Sequence, residues 1–155
     1  MENDALLKVA FPIMKFQGVH RFLSNFYPSL FEFETRKYKT VEHLYQASKA
    51  RTTPEHEFIR IAKTAKEAKQ RGRDVSIRHD WDDIKIEVMR NCLLLKFASD
   101  KLAEQLLGTH NATLIEGNTW HDNFWGDCSC EKCIEIKGYN ILGALLMELR
   151  FRLQV

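Results

Sequence analysis

The sequence predicts a mostly helical α+β fold with a small sheet, and three observations carry that prediction. Helix-start signals follow one another at Thr40, Thr53-Pro54, Thr64-Ala65-Lys66-Glu67 and Asp80. Strand patterns are few and short, confined to Ile13–Phe16, Leu30–Glu34 and Thr113–Glu116. No repeat, low-complexity tract or Pro/Gly-rich linker divides the chain, so residues 1–155 read as one compact domain with its core over about 16–150.

Each element has its own signal. Leu30–Glu34 alternates Phe31 and Phe33 with Glu32 and Glu34, the period-2 pattern of a half-buried strand. It follows Leu23-Ser24-Asn25-Phe26-Tyr27-Pro28, a turn-forming stretch unusually aromatic for a loop. Thr40 caps a helix running to about Arg51, and Thr53-Pro54 begins the next with proline at its first position. The capping box at Thr64–Glu67 opens a short helix that Gly72 stops. From Asp80 a longer helix presents Ile84, Val88 and Leu95, with Met89 and Cys92 beside them, as its apolar face. A short helix from Asp100 to Leu107 ends at Gly108. Gly117 to Tyr139 reads as one long loop, and loops of that size inside compact domains are usually functional. Asn140 caps the last helix, Ile141–Leu153, apolar over much of its surface and central to the core.

Composition bounds the function. The chain of 155 residues is 45% hydrophobic and 28% charged, which excludes disorder, collagen and coiled coil. A net charge of +2 makes no global demand for nucleic acid, so anion binding needs a local patch. Ile141–Met147, the longest strongly apolar stretch, falls far short of the ~20 residues of a bilayer span. Met1-Glu2-Asn3-Asp4 is acidic where a signal peptide is basic. A cytoplasmic protein without membrane contact is expected, and no protein partner is signalled.

Four segments carry chemistry. In Thr40–Lys49, Glu42, Gln46 and Lys49 stand at i, i+4 and i+7 and share one helix face. A carboxylate, an amide and an amine on one stripe suit acid/base work, orientation and nucleophilic attack. The same spacing also fits a solvated amphipathic face. In Trp120–Asp127, two tryptophans, Phe124, His121 and two aspartates share a short stretch. Aromatic rings offer stacking platforms and a carboxylate can steady positive charge, whereas the alternative is a loop pinned by its aromatics, with Gly126 serving backbone shape. Arg60, Lys63, Lys66, Lys69, Arg71 and Arg73, against Glu67 alone, form a positive ridge for phosphates or a solvated helix face. Cys92 reads as a small core residue. Cys128, Cys130 and Cys133 make a poor disulfide framework with an odd thiol, and with His121 offer four soft ligands. Standard zinc sites split their ligands between two knuckles, so reduced thiols without a metal are expected and no cofactor is assigned.

In order, the chain reads Leu23-Ser24-Asn25-Phe26-Tyr27-Pro28, then Val41-Glu42-His43-Leu44-Tyr45-Gln46-Ala47-Ser48-Lys49, then Arg71-Gly72-Arg73. Trp81 with Lys85 and Met89, Trp125-Gly126-Asp127, Gly138-Tyr139-Asn140-Ile141-Leu142-Gly143 and Leu146-Met147-Glu148-Leu149-Arg150 follow. This arrangement resembles the NADAR family, which includes YbiA-like N-glycosidases, and the resemblance covers Phe16 to Arg150. It implies a YbiA-like fold and an N-glycosidase acting on a ribosyl–amine bond. Members that this chain resembles remove ADP-ribose from guanine in DNA, and a second branch cleaves phosphorylated riboflavin-biosynthesis intermediates. The resemblance makes Lys49 the imine-forming nucleophile, Glu42 the proton shuttle and Asp127 the group that steadies cationic character at the sugar. It makes Asn25, Phe26, Gln46, Arg73, Trp81, Trp125 and Gly126 substrate-binding positions, with Arg73 facing the pyrophosphate and the tryptophans stacking or walling the site. The Cys-x-Cys-x-x-Cys insert lies outside the family's core motif.

The expected substrate is therefore ADP-ribosylated DNA or another ADP-ribose-containing molecule. The lack of a fused pathway domain in the 155 residues favours DNA over the riboflavin intermediate. A non-catalytic ADP-ribose or nucleic-acid reader would keep the aromatic segment and the basic ridge but have no use for Glu42 and Lys49 together. A zinc-dependent nucleic-acid module is a further alternative.

Overall fold

The computed structural model describes residues 10–155, so the acidic Met1–Asp4 segment lies outside the described residues. Helices dominate, with two small two-stranded sheets, in agreement with the sequence. No helix among the described residues is long and apolar enough to cross a membrane. The chain divides into two compact units, Gln17–Glu104 and the residues up to Phe16 with Gln105–Val155.

In the Gln17–Glu104 unit a 3-10 helix, Gly18–Leu23, buries Phe22 and Leu23 without any side-chain cap, and no sequence signal marks it. Strands β1 (Phe31–Phe33) and β2 (Arg36–Tyr38) form an antiparallel hairpin with Phe33 opposite Arg36. The two loop residues, Glu34 and Thr35, both take positive φ, the geometry of a type I′ turn. The sequence lacks the Asn-Gly signature of such a turn, which hides β2. Phe31 stacks on Tyr38 with ring centroids 6.0 Å apart, whereas Phe33, expected inward, is exposed.

Helix α1 (Val41–Ser48) is the centre of this unit and packs against α2 (Thr53–Arg60), α3 (Ala65–Asp74) and α4 (Trp81–Lys96). Thr40 caps it by accepting from the His43 amide at 3.2 Å. The helix ends earlier than Arg51 because residues 49–51 leave to pair with 76–78. Ala50 bridges Ile77, the Arg51 amide donates to Ser76 O at 2.8 Å, and the Arg78 amide to Lys49 O at 3.0 Å. Thr52 caps α2, and Thr64 caps α3 by accepting from the Glu67 amide at 3.1 Å. Gly72 does not stop α3, which runs on to Asp74. It is buried within the helix, where an added Cβ would lie 3.0 Å from both Gln46 Cδ and Lys49 Cε and still closer to Gln46 Oε1. Its lack of a side chain lets α3 approach α1.

The buried side of α4 is Trp81, Met89, Cys92, Leu93 and Lys96, while Ile84, Val88 and Leu95 are only half-buried. The expected face is thus rotated toward Leu93 and Lys96. Asp80 stands at the N-cap of α4, as expected, but its side chain makes no cap hydrogen bond and instead pairs with Arg78. Helix α5 spans Asp100–Leu107 as expected.

In the other unit the expected strands Ile13–Phe16 and Thr113–Glu116 reduce to one parallel bridge, Ile13 with Leu114. The ladder stops because the Glu116 amide turns to Asn140 Oδ1 at 3.0 Å. The long segment after it is pinned by a parallel pair, β3 (Gly117–Asn118) and β4 (Asp127–Cys128). Helix α6 (Ile141–Leu153) buries Leu142, Leu145, Leu146 and Leu149. Asn140 stands at its start with φ 51° and does not cap it through its side chain, which bridges Leu114 O and the Glu116 amide. Carbonyls of Phe124 and Trp125 accept from the Ile141 and Leu142 amides at 3.2 and 3.0 Å and satisfy the helix start in its place.

Candidate active site

Seven of the ten site residues expected from the sequence lie in the Gln17–Glu104 unit: Asn25, Phe26, Glu42, Gln46, Lys49, Arg73 and Trp81. On α1 the stripe is not a solvated face. Glu42 and Gln46 are 6% and 5% exposed. Gln46 Nε2 donates to Glu42 Oε1 at 2.7 Å, a bond to a buried carboxylate that fixes the orientation of both side chains. The Glu42 amide donates to Asn25 O at 3.1 Å, tying the aromatic turn to the helix start. Two buried acceptors in this cluster, Asn25 Oδ1 and Gln46 Oε1, have no hydrogen-bond partner in the protein. Buried acceptors are almost always satisfied, so these two are suited to donors of a ligand.

Lys49 follows the last turn of α1 and is half-buried. Burial pushes its ammonium pKa down; Glu42 opposes that, and the nearby charges of Arg73 and Lys69 push it further down. A lowered amine pKa raises the fraction of neutral, nucleophilic amine near neutrality. Burial and the two cations thus act together on the Lys49 amine, and the carboxylate acts against them. Trp81 is buried, its ring 5.1 Å from that of Tyr45. Phe26 is 37% exposed, with Lys69 Nζ 5.9 Å from its ring centroid.

The positive ridge does not survive as a whole. Arg60 pairs with Glu57 of α2, and Arg71 pairs with Glu67 and donates to Phe58 O. Glu57 lies outside the interval in which the sequence showed Glu67 as the only acid. Lys69 and Arg73 remain as the cations whose charge reaches Lys49.

Trp125, Gly126 and Asp127 lie in the other unit. Asp122 Oδ1 accepts from the Phe124 and Trp125 amides at 3.1 and 2.9 Å, which makes a tight turn of the aromatic segment. Gly126 is buried, and a Cβ there would come within 2.8 Å of Asn118 Nδ2, so close backbone approach requires glycine. Asp127 is half-buried, and its Oδ1 accepts from the Gly138 amide at 2.8 Å. In the same segment His121, Cys128, Cys130 and Cys133 bring one ligand atom each to within 4.8 Å of one another, a cluster able to hold a metal ion. The ligands come from two separate turns, not the one crowded loop the spacing suggested.

Sequence reasoning missed two supporting residues. Lys96, 1% exposed, donates from Nζ to Ser24 O at 2.8 Å, and its charge lies 5.7 Å from the Tyr27 ring. It holds the turn that carries Asn25 and Phe26. Its signal was a lone lysine one turn beyond Cys92 on the apolar stripe. Asn118, 3% exposed, accepts from the Trp120 and Asp122 amides at 3.2 and 3.1 Å and organises the second segment; nothing in sequence singled it out.

Residues 14–154 match the family model of the NADAR domain. The chain is 37% identical over 135 residues to the N-glycosidase YbiA of Escherichia coli, covering 85% of this chain and 81% of that protein. It is 38% identical over 138 residues to a riboflavin biosynthesis protein of Vibrio vulnificus, covering 87% of this chain but only 36% of the relative's length. The solution structure of E. coli YbiA superimposes with a TM-score of 0.79 at 34% identity, over 94% of this chain and 87% of that one.

Proposed function

From the premise that this chain belongs to the NADAR family, we propose that it is an N-glycosidase that removes ADP-ribose from ADP-ribosylated guanine in DNA. The observation that carries the reading is half-buried Lys49, whose amine pKa burial pushes down, directly after the helix that carries the buried carboxylate Glu42. The name of the E. coli relative, an N-glycosidase, supports the reaction class.

The chemistry follows from the substrate. A sugar carbon bonded to both the ring oxygen and an exocyclic amine opens to an imine. The neutral Lys49 amine adds to that carbon, the Glu42 carboxylate shuttles the amine's two protons to the guanine nitrogen, and the bond from carbon to that nitrogen breaks to leave the lysine imine. Water then adds to the lysine imine, Glu42 passes the water's protons to the lysine nitrogen, and the carbon–nitrogen bond breaks to free ADP-ribose and restore the Lys49 amine. The net change is one water consumed, one ADP-ribose released and the guanine restored in the DNA, with no electron transfer. Gln46 holds the Glu42 carboxylate, and the open acceptors on Asn25 and Gln46 suit substrate donors. Arg73 and Phe26 are assigned to the pyrophosphate and to stacking. Four free cysteines fit a reducing compartment such as the cytoplasm.

A second reading has its own support. The Vibrio relative is named for riboflavin biosynthesis, and a phosphorylated ribosylamine intermediate of that route presents the same bond to Lys49. Incubation with guanine-ADP-ribosylated DNA and, separately, with the phosphorylated ribosylamine decides between them. Free ADP-ribose from DNA is expected. Borohydride added during turnover is expected to trap the sugar on the peptide that carries Lys49. Release of ribose phosphate only, with DNA untouched, moves the substrate to the second reading. No release from either substrate removes the glycosidase assignment.

A further inference from the structure

We propose that His121, Cys128, Cys130 and Cys133 bind one zinc ion in a closed tetrahedral site that fixes the β3–β4 segment, independently of the reaction above. The four ligand atoms lie within 4.8 Å of one another. His121 Nδ1 is 3.2 Å from Cys130 Sγ and 3.4 Å from Cys133 Sγ. A zinc tetrahedron with Zn–S of ~2.3 Å and Zn–N of ~2.0–2.1 Å has edges of about 3.5–3.8 Å, so small adjustments of side chains seat the ion.

Hydrogen bonds around the four residues hold the two ligand-bearing stretches together. His121 takes φ 70°, which turns its ring toward the cysteines. Its amide donates to Cys128 Sγ at 3.3 Å, the kind of N–H···S bond that supports a metal-bound thiolate. Asn118 ties the two ligand turns together. Its side chain holds the Trp120 and Asp122 amides, and its carbonyl accepts from the Ser129 amide at 2.9 Å. Asn123 Oδ1 accepts from the Cys128 amide at 2.9 Å, and the Cys133 amide donates to Cys130 O at 2.9 Å.

The donor set selects the ion. Three thiolates and an imidazole in a tetrahedron suit zinc, and with four protein ligands no position stays open for water, so the metal is structural. Three thiols cannot all pair as disulfides, whereas zinc uses every one. On binding, each thiol gives its proton to solvent as its S–Zn bond forms, and no redox step is involved.

The test uses the full chain, purified without chelator, with metal measured by mass spectrometry and the apoprotein titrated with cobalt(II). About one zinc per chain is expected, together with the visible bands of tetrahedral cobalt and a thiolate-to-cobalt charge-transfer band. Cys130→Ser and His121→Ala should bring zinc content close to background, while Cys92→Ser, a buried cysteine outside the cluster, should retain it. Should the cluster variants fold poorly, thiol counting on the unaltered protein still decides. Zinc should protect three of the four thiols from alkylation. Less than a tenth of an equivalent of metal after reconstitution with zinc, absence of the cobalt bands, or a disulfide among the three cysteines would overturn the proposal.

Discussion

Gly72→Ala separates the geometry of the site from the stability of the fold. The new Cβ would sit 3.0 Å from Gln46 Cδ and from Lys49 Cε, and closer still to Gln46 Oε1. Ordinary carbon–carbon contact begins at about 3.5–4.0 Å, so both side chains must retreat by about 0.5–1 Å. The atoms that move are ends of flexible side chains, which limits the cost to the fold. Alanine in a helix gains about 1 kcal/mol over glycine. Loss of the Gln46–Glu42 bond, 2.7 Å long and buried, costs about 1.5–3 kcal/mol. The net destabilisation is about 0.5–2 kcal/mol, and at about 2–4 °C per kcal/mol the melting temperature falls by about 1–8 °C. Activity suffers more, because a reacting group misplaced by about 1 Å costs about 10²-fold. Thermal melts and single-turnover release of ADP-ribose measure the two effects. In a Gln46→Ala background the same glycine change should be neutral or stabilising, since its main obstacle is gone. Wild-type turnover by Gly72→Ala would refute the packing of α3 against the reactive stripe.

Glu42→Ala should keep the fold and lose about 10²–10⁴ in rate, the usual worth of positioned acid/base help; near-normal turnover removes Glu42 from the mechanism. Lys49→Arg should be as inactive as Lys49→Ala, because guanidinium stays protonated; survival of the arginine variant with no borohydride adduct would leave Lys49 a purely electrostatic part. The rate should climb with pH through a lysine pKa below the ordinary 10.5, and Lys69→Ala with Arg73→Ala should move that inflection to higher pH, since both charges push the amine down; an unmoved profile assigns the titration to another group. His43, fully buried, bonds Thr40 Oγ1 and Ala62 O, and burial lowers its pKa from 6.5. The unfolded chain therefore takes the proton first, so this contribution to stability is complete above pH 6.5 and is lost as pH falls through the folded value. His43→Gln should melt with a shallower pH dependence between 7 and 5, and identical slopes would dismiss the residue as the acid-sensitive element.

What the sequence disclosed and what it hid divide along a physical line. Local chemistry was legible: Thr40 and Thr64 cap where expected, because a hydroxyl before a helical run satisfies free amides whatever lies around it. Depth was not. Glu42, Gln46 and Lys49 at i, i+4 and i+7 fit a solvated stripe as well as a reactive one, and only tertiary packing decides. Here α1 is covered on several sides at once, so its polar stripe faces protein. The devices that achieve this leave faint traces in one dimension. Gly72 resembles a helix stop yet lies inside α3, where a missing side chain brings α3 against Gln46 and Lys49. Asn140 resembles a cap yet bridges Leu114 and Glu116, its capping task having passed to the Phe124 and Trp125 carbonyls. The local preference of each residue type points to a stop or a cap, and in both a contact distant in sequence claims the residue instead. The lowered lysine pKa also comes from tertiary packing. It follows from desolvation by burial and from the positive charges of Lys69 and Arg73 that α3 carries. Removal of the glycine and removal of the cations should therefore perturb one property, the availability of a neutral amine at Lys49, by two separable routes, displacement in one case and protonation in the other.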